Sequence, residues 1–289
     1  MLALQLTITG LQTGALYALT AVGFSLIFGS TRIFHFAHGA TFIIAAYLFY
    51  YMNVSGYGLI AGIAAATAGA IAFGLLLNRF VYVPIQRDEG SFFTVFVASF
   101  GIGIVVQNVV GMIFGRGYVT VSTPLSFSVE IMEGLYVAPI AWISMLCAAV
   151  FFGILWGFLK YSQMGKALRA LADNPELVRV FGLNPRFIAA SAFTIGSILV
   201  VPAAIISGAT SGLNPAMGHH VMLISLAATI VGGIGSVPGT LLAGLALGLA
   251  ESLALLYVDS QWTEAVTFAI LFLFIIIRPS GLLGRSAAH

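Results

Sequence analysis

Charged residues are scarce in this 289-residue chain. Only 7% of its residues are Asp, Glu, Lys or Arg, whereas a soluble protein normally carries about a quarter. Several long stretches hold no charged residue at all, and the longest runs from 187 to 250. Since a membrane-spanning helix needs about 20 mostly apolar residues, this composition excludes an ordinary soluble domain. It predicts an all-α, polytopic integral membrane protein.

Other absences narrow the possibilities further. The chain has one cysteine, Cys147, and therefore forms no internal disulfide. Its apolar runs are too long and continuous for β-barrel strands of about ten residues. No basic region or A-x-A-type cleavage site marks the start, so we expect the first apolar run to be a span rather than a signal peptide. The sequence also lacks a G-x-x-x-x-G-K-[ST] phosphate loop, so we expect no ATP binding by this chain.

Gly, Pro, Asn and charged residues collect between the apolar runs and divide the chain into about eight or nine transmembrane segments. The seventh run is shorter than a bilayer requires, which favours a tilted or broken helix there. The predicted spans are about Leu4–Gly29, Ile33–Met52, Gly58–Phe80, Phe92–Phe114, Pro139–Lys160, Pro185–Ala209, His219–Gly233, Pro238–Tyr257 and Trp262–Arg278.

Lys and Arg are enriched in cytoplasmic loops, and they orient the chain. The 79–89 loop, the 160–186 segment and the tail with Arg278 and Arg285 are basic, whereas the region of Glu130 and Glu133 has no basic residue. We therefore expect the C-terminus inside and the 117–137 segment outside. The N-terminus is expected outside if all nine runs cross the membrane.

The stretch "GSTRIFHFAHGA", residues 29–40, leaves that last expectation open. It is either a cytoplasmic turn or an unwound segment within the membrane, which is tolerated only where it lines a cavity. In the second case the first two runs form one broken or re-entrant helix near 30–40, and the N-terminus moves inside.

Small residues recur at four-residue spacing within the apolar runs, and such pairs let helix backbones approach closely. We interpret them as sites of tight helix packing rather than as one dimer face. The pairs are Gly10/Gly14, Gly111/Gly115, Gly153/Gly157 and Gly244/Gly248.

Residues 161–186, hereafter the charged loop, form the one densely charged segment. Ser162 is a suitable N-cap for a first short helix, and Asn174 followed by a proline and Glu176 begins a second. Gly182 is placed to end that second helix in a left-handed conformation. Because the pattern also gives the helices an apolar side, a docking surface is favoured over a loop that only fixes topology.

Within the charged loop, "GKALRALADNPELVRVFGLN" resembles the EAA-type coupling loop of bacterial ABC importer permeases, in the version used by branched-chain amino acid permeases. Three further stretches resemble the same family in the same order: "RIFHFAHGA" (32–40), "VGGIGSVPGTLLAGLALGLAE" (231–251) and "RPSGLLG" (278–284). The likeness to this LIV-type permease family covers nearly the whole chain. One departure is His35, where the family usually has Asn.

The resemblance implies a single transmembrane permease domain, residues 1–289, in the bacterial inner (plasma) membrane. Its expected function is to translocate branched-chain or related small amino acids or amides as a subunit of an ATP-binding-cassette importer. The implied partners are a second homologous permease, two cytoplasmic ATPases, an extracytoplasmic solute-binding protein and the lipid bilayer. ATP is expected on the ATPases, and we expect no cofactor, metal, nucleic acid or enzymatic activity for this chain.

The resemblance and the loop pattern together nominate two groups of site residues. The ATPase-coupling group is expected in the charged loop, and the substrate pathway is expected at the 32–40 stretch. The coupling residues are Gly165, Lys166, Arg169, Ala170, Asn174, Glu176 and Gly182, and the pathway residues are His35, Phe36, His38 and Gly39.

Two other functions remain as alternatives at this point. A stand-alone secondary transporter or channel for a small polar solute would need its own coupling site, and the scarcity of intramembrane acids disfavours it. The histidine pairs at 35/38 and 219/220 would suit a metal site or an intramembrane hydrolase, but no carboxylate lies near either pair in the sequence. Glu251 is either a functional intramembrane acid or an interfacial residue that snorkels to water.

Overall fold

The computed structural model describes residues 1–88, 90–121, 123–278 and 280–284. Helices dominate this part of the chain, and a two-stranded antiparallel hairpin is its one sheet. The helices are α1 Leu2–Thr31, α2 His38–Val54, α3 Gly58–Leu77, α4 Val83–Arg87, α5 Phe92–Phe114, α6 Pro139–Tyr161, α7 Gln163–Asp173, α8 Pro175–Val180, α9 Pro185–Thr210, α10 Met217–Gly232, α11 Val237–Ala254 and α12 Thr263–Ile277. The described structure also contains a π-turn at Asn78–Tyr82 and 3-10 turns at Pro124–Ser126 and Ser260–Trp262. The two strands of the hairpin are β1 Val129–Met132 and β2 Leu135–Val137.

Seven helical segments in the described chain are long and apolar enough to cross a membrane. One of them is the continuous Gly58–Arg87 helix, which runs from α3 through the π-turn into α4. The all-α, polytopic fold is thus confirmed, and each of the nine predicted spans coincides with a helix. The seventh span is short as expected, because α10 has 16 residues. The predicted start of the second span at Ile33 is wrong, since α2 begins only at His38.

Helix α1 lies at the centre of the bundle and packs closely on α11. A methyl group placed on Gly14 would lie 2.8 Å from the Cα atom of Leu245, and one on Gly244 would lie 2.6 Å from the Cα atom of Ala18. Ser252 on α11 donates a 2.7 Å hydrogen bond to the carbonyl oxygen of Leu6. The close packing predicted for the Gly10/Gly14 and Gly244/Gly248 pairs is therefore confirmed.

The other two glycine pairs behave differently. Nothing in the described chain lies within 4 Å of a methyl group placed on Gly115, Gly153 or Gly157, and Gly111 makes only ordinary contacts. Tight packing within the chain is thus wrong for these pairs. Gly111 lies on α5 with Gly115 directly after it, and Gly153 and Gly157 lie on α6; the outer faces of both helices are largely exposed in the single subunit.

Contacts at the ends of the helices show which segments share each end of the bundle. Near its start, α1 carries Ile8, which packs against Leu135 and Val137 beside the hairpin. Near its end, Gly29 contacts Gly235 in the α10–α11 turn. The backbone of 282–283 is hydrogen-bonded to the last turn of α10. The start of α1 and the hairpin therefore share one end of the bundle, and the C-terminal segment lies at the other.

Basic residues assign these ends to membrane sides. Of the eleven Lys and Arg residues, Arg285 lies outside the described part of the chain and Arg116 lies at the hairpin end. The remaining nine lie at the opposite end, which the enrichment of Lys and Arg in cytoplasmic loops predicts to be the cytoplasmic one. The same rule predicts an external N-terminus, even though the 32–37 segment is buried. These nine are Arg32, Arg79, Arg87, Lys160, Lys166, Arg169, Arg179, Arg186 and Arg278.

This orientation is testable by cysteine labelling. In a Cys147→Ser background, Lys166→Cys should react with a membrane-impermeant thiol reagent only from the cytoplasmic side, and Glu133→Cys only from the external side. The reason is the separation of basic residues described above. Labelling of both positions from the same side of intact and inverted vesicles would contradict the assignment.

The α1–α11 contact predicts a sharp difference between two glycines. Gly248→Val should lower the melting temperature of the purified protein in detergent, because the added carbons meet the backbone of Gly14; overpacking of this kind costs about 1–3 kcal/mol. The matched control, Gly153→Val, adds the same atoms where nothing lies within 4 Å. Equal melting temperatures for the two variants would show that the α1–α11 contact does not determine the stability of the protein.

Candidate functional site

A non-helical segment, residues 32–37, separates α1 from α2 and is hereafter the helix break. Arg32 ends α1 in a left-handed conformation, with φ at 58°. The side chains of His35 and His38 have no exposed surface, although the intervening backbone is not helical. Irregular backbone at membrane depth is stable only where protein or a cavity covers it. The break is thus buried in protein, and the chain still reverses direction across it.

A hydrogen-bonded network holds the helix break in place. The Nδ1 atom of His35 lies 2.7 Å from the hydroxyl oxygen of Tyr82. That hydroxyl donates to Ser99 at 3.1 Å, so it accepts the proton on His35 Nδ1. Ser99 in turn accepts the backbone N–H of Ala37 at 2.8 Å. The π-turn after α3 and helix α5 therefore both pair polar groups that the break exposes.

His38 fixes the start of α2 against the middle of α1. Its Nε2 atom lies 3.0 Å from the carbonyl oxygen of Thr20. Gly23 leaves room for the ring, because a methyl group there would come within 3.3 Å of it. A side chain at position 23 would crowd the imidazole where it reaches this carbonyl.

The first turns of α2 and α10 meet beside the break. A methyl group on Gly218 would lie 2.8 Å from the carbonyl oxygen of Gly39, so the two backbones touch. The Phe36 ring packs on Phe100 at 5.1 Å and on His219 at 6.4 Å between centroids. A narrow crevice of about 10 Å³, enough for roughly one water, opens here. Its walls include Phe36, Gly39, Gly103, Gln107, Gly218 and His219.

The structure therefore divides the four predicted pathway residues. Phe36 and Gly39 line the crevice, whereas His35 and His38 lie behind it in the packed interior. The described residues contain no group of three or more His, Cys, Asp and Glu suited to a metal ion.

His219 and His220 lie in two different environments, and the sequence did not indicate this. His219 faces the crevice. The Nδ1 atom of His220 lies 3.0 Å from a carboxylate oxygen of Glu264, and its Nε2 atom lies 3.2 Å from the Tyr17 hydroxyl. Since 44 positions separate the histidine from the acid, no local spacing signal could have found this pair.

The charged loop folds into the two short helices that its caps predict. The Ser162 hydroxyl accepts the Gly165 N–H at 2.9 Å, and the Asn174 side chain accepts the N–H groups of Glu176 and Leu177 at 3.0 Å. Gly182 follows α8 with φ at 75°, a conformation that costs glycine little.

The two faces of the charged loop differ in what they contact. On the inner face, Leu168, Leu171 and Val178 are buried against the start of α9. On the outer face, Val180 is 83% exposed and Phe181 is 74% exposed. An apolar patch at the cytoplasmic end of a spanning bundle is a surface that association would cover.

The predicted coupling residues lie on both faces of this loop. Gly165 is buried, and a methyl group there would lie 2.6 Å from the Cα atom of Leu159 at the end of α6. The other six are exposed: Lys166, Arg169, Ala170, Asn174, Glu176 and Gly182.

Comparison with known proteins gives consistent relatives. The family described as "Branched-chain amino acid transport system / permease component" matches residues 6–275. The chain is 30% identical to the high-affinity branched-chain amino acid transport system permease protein LivH of Escherichia coli and 31% identical to the corresponding protein BraD of Pseudomonas aeruginosa. Each alignment covers 98% of this chain and 96% of the relative.

A solved structure shares the fold. PsaBC from Streptococcus pneumoniae in complex with Fab superposes with a TM-score of 0.54 at 13% identity, over 94% of this chain and 91% of that one. At this identity the likeness concerns the arrangement of helices alone. Together with the seven long apolar helices, the matches identify a multi-pass protein of the bacterial inner membrane. The chain belongs to the family of permease components of branched-chain amino acid transport systems.

Proposed function

We propose that the chain is one of two homologous permease subunits of an ATP-binding-cassette importer for branched-chain or related small amino acids or amides. In this proposal residues 1–289 form one permease domain, the pair of permeases sits on two cytoplasmic ATPases, and the charged loop of this chain seats in a cleft of one of them. A solute-binding protein delivers substrate at the hairpin end. The observation that carries the proposal is the exposed apolar patch on the outer face of the charged loop.

The patch is chemically suited to a protein partner. Leu177, Val180 and Phe181 present apolar surface at the cytoplasmic end, where water would otherwise cover it. Arg169 is exposed on the preceding helix and offers a forked cation for a carboxylate or carbonyl of that partner. An apolar centre with a polar, charged rim is typical of protein interfaces.

The inner face of the same loop supports transmission of movement into the membrane. Its buried leucines pack on the first turns of α9, and Gly165 lies against α6. Further along α9, the Phe193 ring lies 5.1 Å from the ring of His35 and 5.6 Å from that of Tyr82. Displacement of the charged loop would therefore reach the helix break through α9.

Helix α5 supports contact with a second permease subunit. Its second half carries the amides Gln107 and Asn108, and Asn108 is exposed and accepts a hydrogen bond from Arg116. Polar groups on a membrane helix are favoured where they face protein or water rather than lipid. Since Gln107 and Gly103 also line the crevice at Phe36, we propose that the substrate route runs between α5 of the two subunits and past the helix break.

Coupling through the charged loop predicts a strong effect of one small change. Ala170→Glu should reduce ATP-driven leucine uptake about tenfold or more, because an unpaired carboxylate in an apolar interface costs several kcal/mol. Uptake and ATP hydrolysis are measured with the purified complex in proteoliposomes.

Ala170→Ser is the matched control, since it adds polarity without bulk or charge and should retain uptake. If the loop only fixed topology, Ala170→Glu would be nearly silent, because acidic residues contribute little to orientation. Full uptake by the glutamate variant would count against coupling through this segment.

The helix break predicts a second functional phenotype. His38→Leu removes the contact with the Thr20 carbonyl and should impair uptake while the complex still assembles. His38→Gln can still donate from a nitrogen near the Nε2 position and should restore part of the uptake. Normal uptake by His38→Leu at normal expression would contradict the proposal that the helix break forms part of the substrate route.

A further inference from the structure

A second, much larger cavity lies within the chain at its external end. It measures about 450 Å³ and is enclosed by α1, α9, the start of α10 and the segments around the hairpin. We call it the external cavity. It shares no lining residue with the crevice at Phe36. Its volume falls in the range of about 300–1,000 Å³ that small-molecule sites occupy.

On one side of the external cavity, polar side chains have no hydrogen-bond partner among the described residues. Gln12 and Thr13 on α1 and Ser207 on α9 point into it, and no hydrogen bond joins their side chains to other described residues. Polar groups within a membrane bundle are costly unless something pairs them. Water or a polar ligand must therefore occupy this wall.

The inner end of the cavity is apolar. Leu16, Phe42, Ala203 and Val221 line it, and each is almost completely buried. A site with a polar wall and an apolar inner end selects a small molecule that has a hydrophilic head and a short hydrocarbon tail. Neither a simple ion nor a sugar matches both surfaces.

A cluster of ionisable groups gives the polar wall its electrostatic character. Tyr17 and His220 line the cavity, and Glu264 pairs with His220 at 3.0 Å. The carboxyl group of Glu251 lies beside the Tyr17 hydroxyl and interacts with both His220 and Glu264. An acid paired with the one histidine of this wall and a second acid beside Tyr17 give the wall hydrogen-bond acceptors that suit an ammonium group.

We propose that the external cavity binds the transported aliphatic amino acid within a single subunit. The hydrocarbon side chain contacts Leu16, Phe42 and Val221, and the charged head lies among Gln12, Thr13 and Ser207 with its ammonium group towards Tyr17 and His220. This assignment rests on the proposed function for the class of substrate. It adds a binding site at the external end that is separate from the crevice, since His220 lines the cavity and its neighbour His219 lines the crevice.

Ligand protection of a cysteine tests the site directly. Ser207→Cys in a Cys147→Ser background, assembled in the full complex in proteoliposomes, is labelled from outside with a membrane-impermeant methanethiosulfonate. Leucine at about ten times its Kd should slow labelling about tenfold by mass action. Glycine, which lacks the tail, and 3-methylbutanol, which lacks the charged head, should protect much less.

Ser260→Cys is the matched control, because Ser260 is external and exposed but does not line the cavity. Its labelling should not respond to leucine. Leucine uptake by the unsubstituted complex together with unchanged labelling at Ser207→Cys would overturn the cavity assignment alone. Equal protection at both positions would also overturn it, whereas absence of leucine uptake by the unsubstituted complex would overturn the proposed function as well.

Filling the cavity gives an independent test. Thr13→Trp should abolish most leucine uptake while the complex elutes as one species with its partners. Thr67→Trp on α3 is the control, since that threonine is partly exposed, does not line the cavity and is bonded only to its own helix. Wild-type uptake by a Thr13→Trp complex would overturn the assignment. If the Thr13→Trp variant fails to assemble, the protection of Ser207→Cys from labelling decides whether leucine binds in the cavity.

Discussion

The bilayer interior offers no water to pair backbone N–H and C=O groups, and the rest of this structure depends on that constraint. It accounts for the helical character of the described chain and for the burial of the one interruption between α1 and α2. The helix break persists because Tyr82 pairs the His35 imidazole and Ser99 pairs the Ala37 N–H, while His38 holds the start of α2 to the Thr20 carbonyl of α1. An unwound segment of this kind can rearrange without unfolding a whole span, which suits a transport protein.

Close backbone approach is the second determinant of the fold. Lipid is as apolar as leucine, so hydrophobic burial alone does not drive helices together in a membrane, and small residues at interfaces compensate through packing. The α1–α11 contact uses Gly14, Gly244 and Gly248 in this way, and the α2–α10 contact uses Gly39 and Gly218. The first contact builds the centre of the bundle. The second brings two helix starts together beside the crevice.

The chain also connects its cytoplasmic and external features through a few helices. The charged loop is continuous with α6 and α9, and α9 reaches the break through Phe193. The same helix supplies Ser207 to the external cavity. A movement of α9 at its cytoplasmic start would therefore affect both the break and the proposed binding site. This arrangement gives a physical route by which an ATPase on one side could alter ligand access on the other.

The sequence by itself predicted the membrane class, a helix at each of the nine apolar runs, the capped helices of the charged loop and the concentration of basic residues at one end of the bundle. Each follows from local composition: apolar length, Ser162 and Asn174 at helix starts, and the distribution of Lys and Arg. Only the tertiary structure decided that α2 starts at His38, that Gly153 faces outward, and that Tyr17, His220 and Glu264 meet beside a cavity. Those features depend on contacts between residues far apart in the chain, which no local spacing encodes. Packing alone brings such residues within hydrogen-bonding distance.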